Sequence, residues 1–304
     1  MPRILSHHGL RPLLFVLLLL AGLCLQGTSH AAEVPKEGIL LVAFGTSVPE
    51  GMPAFKAVDA EFKKAFPDSP VVWAYTSQII RKKLAEQGQP VGGISDGMAQ
   101  LAKDGVKVVR VQSLHVLGGE EFSALERAVL LDVSKHPGRF DAVFLGRPLL
   151  ESKGDAQELA AILLADTRKA RGKSAALVLM GHGQSHGRAD LAFEGVRAVF
   201  KDTDKNVHMA TVEGARTFED LLKELKAAKV KQVVLAPLML VAGDHARNDL
   251  AGDEDDSWAA QLKKAGIKVE AHLKGLGEMP GTSAIFVRHA KESTDDLTKE
   301  PRKP

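Results

Sequence analysis

Two histidines and a glutamate each follow an apolar segment in the second half of the chain. His182 stands between two glycines, Glu213 precedes a glycine, and His245 opens a polar stretch. Two imidazoles and one carboxylate suit a borderline divalent metal such as Co²⁺, Fe²⁺, Ni²⁺ or Zn²⁺. Neutral imidazoles titrate at about pH 6.5, so they can also accept protons. The sequence therefore predicts that these three residues form a metal or acid–base site.

Short apolar segments alternate with amphipathic ones along the chain, which predicts an α/β fold with parallel sheets covered by helices. The predicted strands are Ile39–Phe44, Val71–Tyr75, Val106–Gln112, Ala142–Leu145, Ala176–Met180, Val207–Thr211, Gln232–Leu238 and Lys268–His272. The predicted helices include Phe55–Phe66, Gln157–Ala170 and Phe218–Ala228. Parallel sheets bind ligands outside the carboxyl ends of their strands. The two histidines and the glutamate follow three of these predicted ends.

The first four predicted strands resemble the second four in sequence and in order. The matching segments are GILLVAFG (38–45) with ALVLMGHG (176–183), VWAYTS (72–77) with VHMATV (207–212), and VQSLHVLGG (111–119) with LAPLMLVAG (235–243). This repeat predicts two similar Rossmann-like halves around a central cleft. We expect an N-terminal half at 32–171 and a C-terminal half at 172–304, the latter carrying the metal site and a C-terminal helix.

The N-terminus has the pattern of a secretory signal. Arg3 and Arg11 precede the apolar run Leu13–Leu25, and small residues follow at Ser29 and Ala31. A membrane-spanning helix needs about 20 apolar residues, and this run is shorter. We therefore expect a signal peptide over residues 1–31 and a periplasmic protein without a stable membrane span, with a retained membrane anchor as the alternative.

The composition fits a globular protein, with 45% hydrophobic and 26% charged residues. Cleavage after Ala31 would remove two of the 40 basic residues and none of the 38 acidic ones. The remaining chain would be neutral, which is not typical of nucleic-acid binding. Cleavage would also remove Cys24, the only cysteine, so any metal would be held by His, Asp, Glu, Met or backbone oxygen.

Two further features of the predicted strand ends have alternative interpretations. His115 either faces the same cleft from the first half or bonds the adjacent Gly118–Gly119 turn. The acidic run Asp253–Asp256 is either solvated surface or attracts cations towards the cleft.

Seven segments of the chain are characteristic: FGTS (44–47), YTSQIIRKKL (75–84), VQSLHVLGGEEF (111–122), MGHG (180–183), TVEG (211–214), PLMLVAGDHARNDLAGDEDDSW (237–258) and GLGEMPGTSAIFVRHAKES (275–293). Together they resemble the class II tetrapyrrole chelatases, and among these the anaerobic cobalt chelatases that act on sirohydrochlorin. The resemblance covers about residues 38–293, and GDHARNDLAGDEDDSW within it is long and specific.

The resemblance implies an enzyme that inserts a divalent metal into sirohydrochlorin and releases two protons, as in anaerobic cobalamin or sirohaem biosynthesis. His182 and His245 would be metal ligands and proton acceptors, with Glu213 beside them. Co²⁺ is the expected substrate metal, although the donor set accepts Fe²⁺ and Ni²⁺ as well. Family members often assemble, so we also expect a homo-oligomer.

Sirohydrochlorin carries eight carboxylates, which need basic or hydrogen-bonding partners. Our candidates for substrate binding are Thr46, Ser47, Arg81 and His115. Arg81 can pair with a carboxylate through two parallel hydrogen bonds, although it could equally lie on a solvated helix face.

Export differs from the family pattern, because relatives that make cobalamin precursors work in the cytoplasm. An exported protein with this cleft could instead bind or carry haem, another tetrapyrrole or a metal. Haem could also be an additional ligand of the enzyme. A carrier would release its ligand unchanged, whereas a chelatase would turn over.

Overall fold

The computed structural model describes residues 36–184 and 189–299. The predicted signal peptide lies outside these residues. No helix in the described ranges is both long and apolar enough to cross a membrane.

Each half of the described chain forms one four-stranded parallel sheet, and the two sheets have the same strand order. The first sheet is ordered β2-β1-β3-β4 and the second β6-β5-β7-β8. The strands are β1 Glu37–Ala43, β2 Val71–Tyr75, β3 Val108–Ser113, β4 Ala142–Gly146, β5 Ala176–Gly181, β6 Val207–Thr211, β7 Gln232–Pro237 and β8 Lys268–Ala271. The predicted fold class, an α/β protein with two similar parallel-sheet halves, is confirmed.

Helices connect successive strands. They are α1 Met52–Ala65, α2 Gln78–Glu86, α3 Ile94–Lys103, α4 Glu120–Lys135, α5 Lys153–Asp166, α6 Arg168–Arg171, α7 Ala189–Thr203, α8 Phe218–Ala227, α9 Trp258–Lys264 and α10 Thr282–Glu292. A π-helical turn spans Ala246–Leu250.

The central strands β1 and β5 are buried on both faces. In β1, Ile39 and Leu41 belong to one apolar core while Leu40 belongs to another, because successive strand residues point to opposite faces. In β5, Leu177 and Leu179 join the same core as Ile39 and Leu41. One core therefore connects the inner faces of both sheets.

The last helix returns to the first half of the chain. The Arg110 side chain of β3 donates hydrogen bonds to the backbone oxygens of Ala290 (2.8 Å) and Ser293 (3.2 Å). A bridge joins Phe144 of β4 to Asp296. In sequence, α10 belongs to the second half, but it packs on the first. The boundary predicted between residues 171 and 172 stays a prediction.

Most predicted strands match the structure within one or two residues. Tertiary hydrogen bonds explain where they differ. The predicted third strand begins at Val106, but β3 begins at Val108 because the Val106 N–H still donates to Leu101 O of the preceding helix end (3.1 Å).

Candidate functional site

His182 follows the carboxyl end of β5, the central strand of the second sheet. The backbone turns there at Gly183, which has φ +77°. A Cβ at Gly183 would lie 1.7 Å from Glu213 O, so only glycine fits against the neighbouring loop. The His182 side chain is exposed, and its Nδ1 lies 2.9 Å from Gly183 O. A carbonyl only accepts, so Nδ1 carries the proton, and in the neutral ring Nε2 keeps its lone pair.

Glu213 lies in the adjacent loop after β6 and is tied to His182 through the backbone. The Glu213 N–H donates to His182 O (2.8 Å), and the Val212 N–H donates to Gly181 O (3.0 Å). Thr211 closes the loop by donating from N (2.9 Å) and Oγ1 (3.0 Å) to Arg216 O. The Glu213 side chain is exposed beside this fixed backbone.

His245 reaches the same edge on the loop that follows β7. The Leu238 N–H donates to Met180 O (2.7 Å), which fixes the start of the loop beside β5. His245 directly precedes the π-helical turn, and its Nδ1 lies 2.5 Å from Asp249 Oδ2. The His245 side chain is 39% exposed. Its Nδ1–H therefore points at a carboxylate while the imidazole stays accessible.

The structure brings the two predicted histidines into contact. The His182 and His245 rings lie 4.9 Å apart between centroids, at an angle of 83°. Each Nδ1 is hydrogen-bonded, which leaves the two Nε2 atoms as the nitrogens able to bind a metal or accept a proton. Histidine metal ligands commonly have this arrangement, with the second ring nitrogen donating to a carboxylate or a backbone carbonyl.

The third predicted ligand, Glu213, lies in the loop next to His182, but its side chain does not form a metal-binding cluster with the two histidines. Within residues 36–184 and 189–299, no group of three or more His, Cys, Asp or Glu side chains is arranged to hold a metal ion. Glu213 is exposed, so its side chain can change rotamer without moving its anchored backbone. Its role as a ligand stays a prediction.

A family profile described as "Cobalt chelatase (CbiK)" matches residues 37–295. The chain belongs to the CbiK cobalt chelatase family. It is 35% identical over 262 residues to sirohydrochlorin cobaltochelatase CbiKC of Nitratidesulfovibrio vulgaris, covering 86% of this chain and 92% of the relative. It is 33% identical over 267 residues to the sirohydrochlorin cobaltochelatase of Salmonella typhimurium, covering 87% and 99%.

Two solved structures have the same fold as this chain. SirB from Bacillus subtilis with Fe³⁺ has a TM-score of 0.59 and 16% identity, covering 84% of this chain and 95% of SirB. CbiX, described as the terminal enzyme of sirohaem biosynthesis in denitrifying bacteria, has a TM-score of 0.51 and 18% identity, covering 86% and 100%. At these identities the likeness shows the fold alone.

His115 lies at the end of β3 in a very different environment from the histidine pair. Its Nδ1 lies 2.9 Å from Ser113 Oγ. Its Nε2 is buried and has no hydrogen-bond partner among the described residues. Burial lowers the pKa of His115 to about 4. The ring is therefore neutral at physiological pH, and its role in substrate binding stays a prediction.

The remaining substrate-binding candidates occupy the carboxyl edge of the first sheet. Thr46 is buried, and its Oγ1 accepts from the Val48 N–H (3.1 Å). Ser47 is half-buried. Arg81 borders a cavity of about 440 Å³, and its buried Nε lacks a hydrogen-bond partner in the described part of the chain. Of these candidates, Arg81 is the one with unused hydrogen-bonding capacity in a cavity.

Cavity size does not locate this site. A larger cavity of about 1140 Å³ borders Pro137–Phe140, the loop that precedes β4, and residues 294–299. It lies at the amino edge of the first sheet, away from the histidine pair. The histidine pair at the carboxyl edge of the second sheet identifies the site instead.

Sequence reasoning missed Asp249, the partner of His245. The spacing of four residues was a usable signal, because residues i and i+4 share a face of a helical turn. The stretch after His245 contains four other acidic residues, at positions 253 to 256, so the acidic character of the stretch alone did not single out Asp249.

Proposed function

We propose that the protein inserts Co²⁺ into sirohydrochlorin and releases two protons. The observation that carries the proposal is the His182–His245 pair, whose ring centroids lie 4.9 Å apart and whose Nδ1 atoms are both hydrogen-bonded. Membership of the cobalt chelatase family favours Co²⁺ insertion over a carrier function.

Insertion of the metal into the macrocycle requires three steps, to which the residues of this site can contribute. Co²⁺ must lose water, two pyrrole N–H protons must leave, and the metal must reach the ring nitrogens. We assign Nε2 of His182 and Nε2 of His245 to the binding of Co²⁺ as substrate. Imidazole nitrogen is a ligand that Co²⁺ accepts readily. Both rings lie at the accessible carboxyl edge, where a flat substrate can approach.

Glu213 completes the proposed site. Its backbone N–H donates to His182 O, and its carboxylate is exposed. In this proposal Glu213 accepts one pyrrole proton, directly or through a histidine. A general base of this kind contributes about 10²–10⁴-fold to a rate.

Large apolar side chains are exposed near the carboxyl edges of both sheets and support binding of a macrocycle. Phe44 follows β1 and is 49% exposed, and Leu191 lies in the first turn of α7 and is 81% exposed. Ligand pockets are commonly lined by apolar groups with a few polar ones that fix orientation. We propose that Phe44 and Leu191 contact the ring, while Arg81 pairs with a peripheral carboxylate.

The test is an anaerobic absorption assay with purified protein, sirohydrochlorin and Co²⁺. Wild type, His182→Ala and a control without protein are followed in parallel. We expect repeated turnover to the metallated spectrum with wild type and a loss of at least about 100-fold with His182→Ala. A stoichiometric spectral shift without turnover would contradict the proposal and favour a tetrapyrrole carrier.

Metal choice is tested in the same assay with Fe²⁺ and Ni²⁺ at equal free concentration. We propose that Co²⁺ gives the highest kcat/KM. A higher value with Fe²⁺ or Ni²⁺ would reassign the substrate metal. A Soret band on the purified protein would instead reveal haem as an additional ligand.

We also propose that residues 1–31 direct export to the periplasm and that the protein assembles as a homo-oligomer. The basic, apolar and small-residue pattern of this segment supports export. N-terminal sequencing of periplasmic protein should begin at Ala32, and light scattering should give a mass above that of one chain. Cytoplasmic protein with an intact N-terminus would contradict the first part, and a monomer mass the second.

A further inference from the structure

The two histidines of the site are held by different kinds of acceptor. The Nδ1 of His182 is bonded to a backbone carbonyl, Gly183 O, at 2.9 Å. The Nδ1 of His245 is bonded to a side-chain carboxylate, Asp249 Oδ2, at 2.5 Å. The acceptor of the first hydrogen bond is a main-chain oxygen, which a side-chain substitution does not remove. The acceptor of the second is the side chain of one residue, which a substitution can remove.

The π-helical turn fixes where the Asp249 carboxylate lies. Its first and last residues, Ala246 and Leu250, are both fully buried. The next residues close tightly, because the Gly252 N–H donates to Asn248 O (3.0 Å) and a Cβ at Gly252 would lie 2.4 Å from that oxygen. Asp249 thus sits on a segment anchored at both ends, and π-helical turns are frequently found at functional sites.

A carboxylate on Nδ1 determines what the other edge of the ring can do. The carboxylate accepts the Nδ1–H, so in the neutral ring the lone pair is on Nε2. It also restricts rotation of the ring, whose side chain is 39% exposed.

We propose that Asp249 is the positioning residue of the metal site, holding His245 with Nε2 directed for metal binding. This inference rests on the proposed function, since it concerns the same site. Asp249 acts through His245 and does not itself touch Co²⁺. Removing such a partner of a ligating histidine typically costs about 10–100-fold in metal affinity or activity.

The first experiment measures Co²⁺ affinity without sirohydrochlorin, from the visible absorption of the bound ion. We expect Asp249→Ala to raise the Kd by about 10–100-fold and Asp249→Asn to have a smaller effect, because the amide can still accept from Nδ1–H. Asp244→Asn is the matched control, since Asp244 is an exposed carboxylate next to His245, and we expect its Kd within about twofold of wild type. A Kd for Asp249→Ala equal to that of Asp244→Asn would overturn the proposal.

A double-mutant cycle separates positioning from a general structural role. In a His245→Ala background, Asp249→Ala should cause no further loss of Co²⁺ affinity, because its target is gone. An equal further loss would mean that Asp249 acts elsewhere, and the proposal would fail. Interacting pairs in such cycles are non-additive, whereas independent sites add.

A metal-free measurement keeps this inference separate from the proposed function. The imidazole ¹H–¹⁵N spectrum should show a proton on Nδ1 of His245 in wild type and Asp244→Asn, and its loss in Asp249→Ala. Wild type that fails to metallate sirohydrochlorin while keeping this signature would remove the proposed function and leave the positioning role intact. Active wild type whose His245 signal is unchanged in Asp249→Ala would remove the positioning role alone.

Discussion

The two halves share a strand order but present different chemistry at their carboxyl edges. In the aligned repeats, Phe44 occupies the place of His182, and both side chains are exposed. The first half contains a histidine at its edge as well, but His115 is packed with its Nε2 buried. The first sheet therefore offers apolar surface, and the second sheet offers accessible ring nitrogens.

This difference shows that the sheet topology determines where a site can form, whereas local packing determines which chemical groups are accessible there. Parallel strands bring residues to a common edge in both halves. Among the described residues, the loops of the second half hydrogen-bond Nδ1 of two accessible histidines, and no hydrogen bond from another described residue reaches their Nε2 atoms. Four paired experiments test this contrast.

Replacing a histidine should have the largest effect, and only in the second half. We expect His182→Ala to reduce kcat/KM for sirohydrochlorin and Co²⁺ by at least about 100-fold. His115→Asn should stay within a few-fold of wild type, because the Nε2 of His115 is buried and the ring is neutral. Equal losses in the two variants would contradict a metal-binding histidine pair confined to the second half.

Replacing the glycine that follows His182 should have the second-largest effect. Gly183 and Gly105 have nearly the same backbone angle, with φ +77° and +76°. A Cβ at Gly183 would clash with Glu213 O, whereas a Cβ at Gly105 meets nothing within 4 Å. We expect Gly183→Ala to lower kcat/KM by up to about 100-fold through displacement of the site.

Gly105→Ala carries the same backbone strain and serves as the control in that assay. It should lower thermal stability slightly and leave kcat/KM unchanged. Equal activity of the two alanine variants would show that the contact between Gly183 and Glu213 does not position the site.

His115, the half-buried histidine at the edge of the first sheet, should make stability depend on pH. The pKa of His115 is about 4 in the folded protein, against about 6.5 in an unfolded chain. Between these values the unfolded state binds more protons, so the free energy of unfolding falls as the pH falls from about 6.5 towards 4. From pH 7.5 to pH 5, His115 should account for a loss of about 2 kcal/mol.

Urea unfolding at both pH values measures this loss as the difference between wild type and His115→Asn. The difference isolates His115 from other groups such as His208, whose pKa burial also lowers. The same pH dependence in both proteins would show that His115 is not the group responsible.

The apolar surface of the first half should give the smallest effect. Phe44 is 49% exposed at the carboxyl edge, and Leu130 is 47% exposed beside the larger cavity at the other edge. We expect Phe44→Ala to raise the KM for sirohydrochlorin about fivefold, because burying part of a phenyl ring contributes about 1 kcal/mol. Leu130→Ala should leave the KM unchanged, and an equal rise in both would exclude a specific contact at Phe44.

Local sequence patterns predicted much of the fold. The bounds of β2 and β6 agree with the predicted strands, since each is a short apolar run between turn residues. The packing of α10 on the first half could not be predicted, because it depends on Arg110 reaching backbone oxygens about 180 residues away in the chain. The burial of the His115 Nε2 could not be predicted either, because the sequence at this strand end resembles the other strand ends.

Sequence alone determined the parallel-sheet architecture, the repeat and the presence of His182, Glu213 and His245 after three strands. Periodicity and strand order are local properties, so the chain displays them without its folded partners. Tertiary structure decided that two of these side chains touch, that Asp249 hydrogen-bonds one of them, and that the Nε2 of His115 is buried. Burial and hydrogen-bond partners are set by segments distant in sequence, which meet only when both sheets have formed around their shared core.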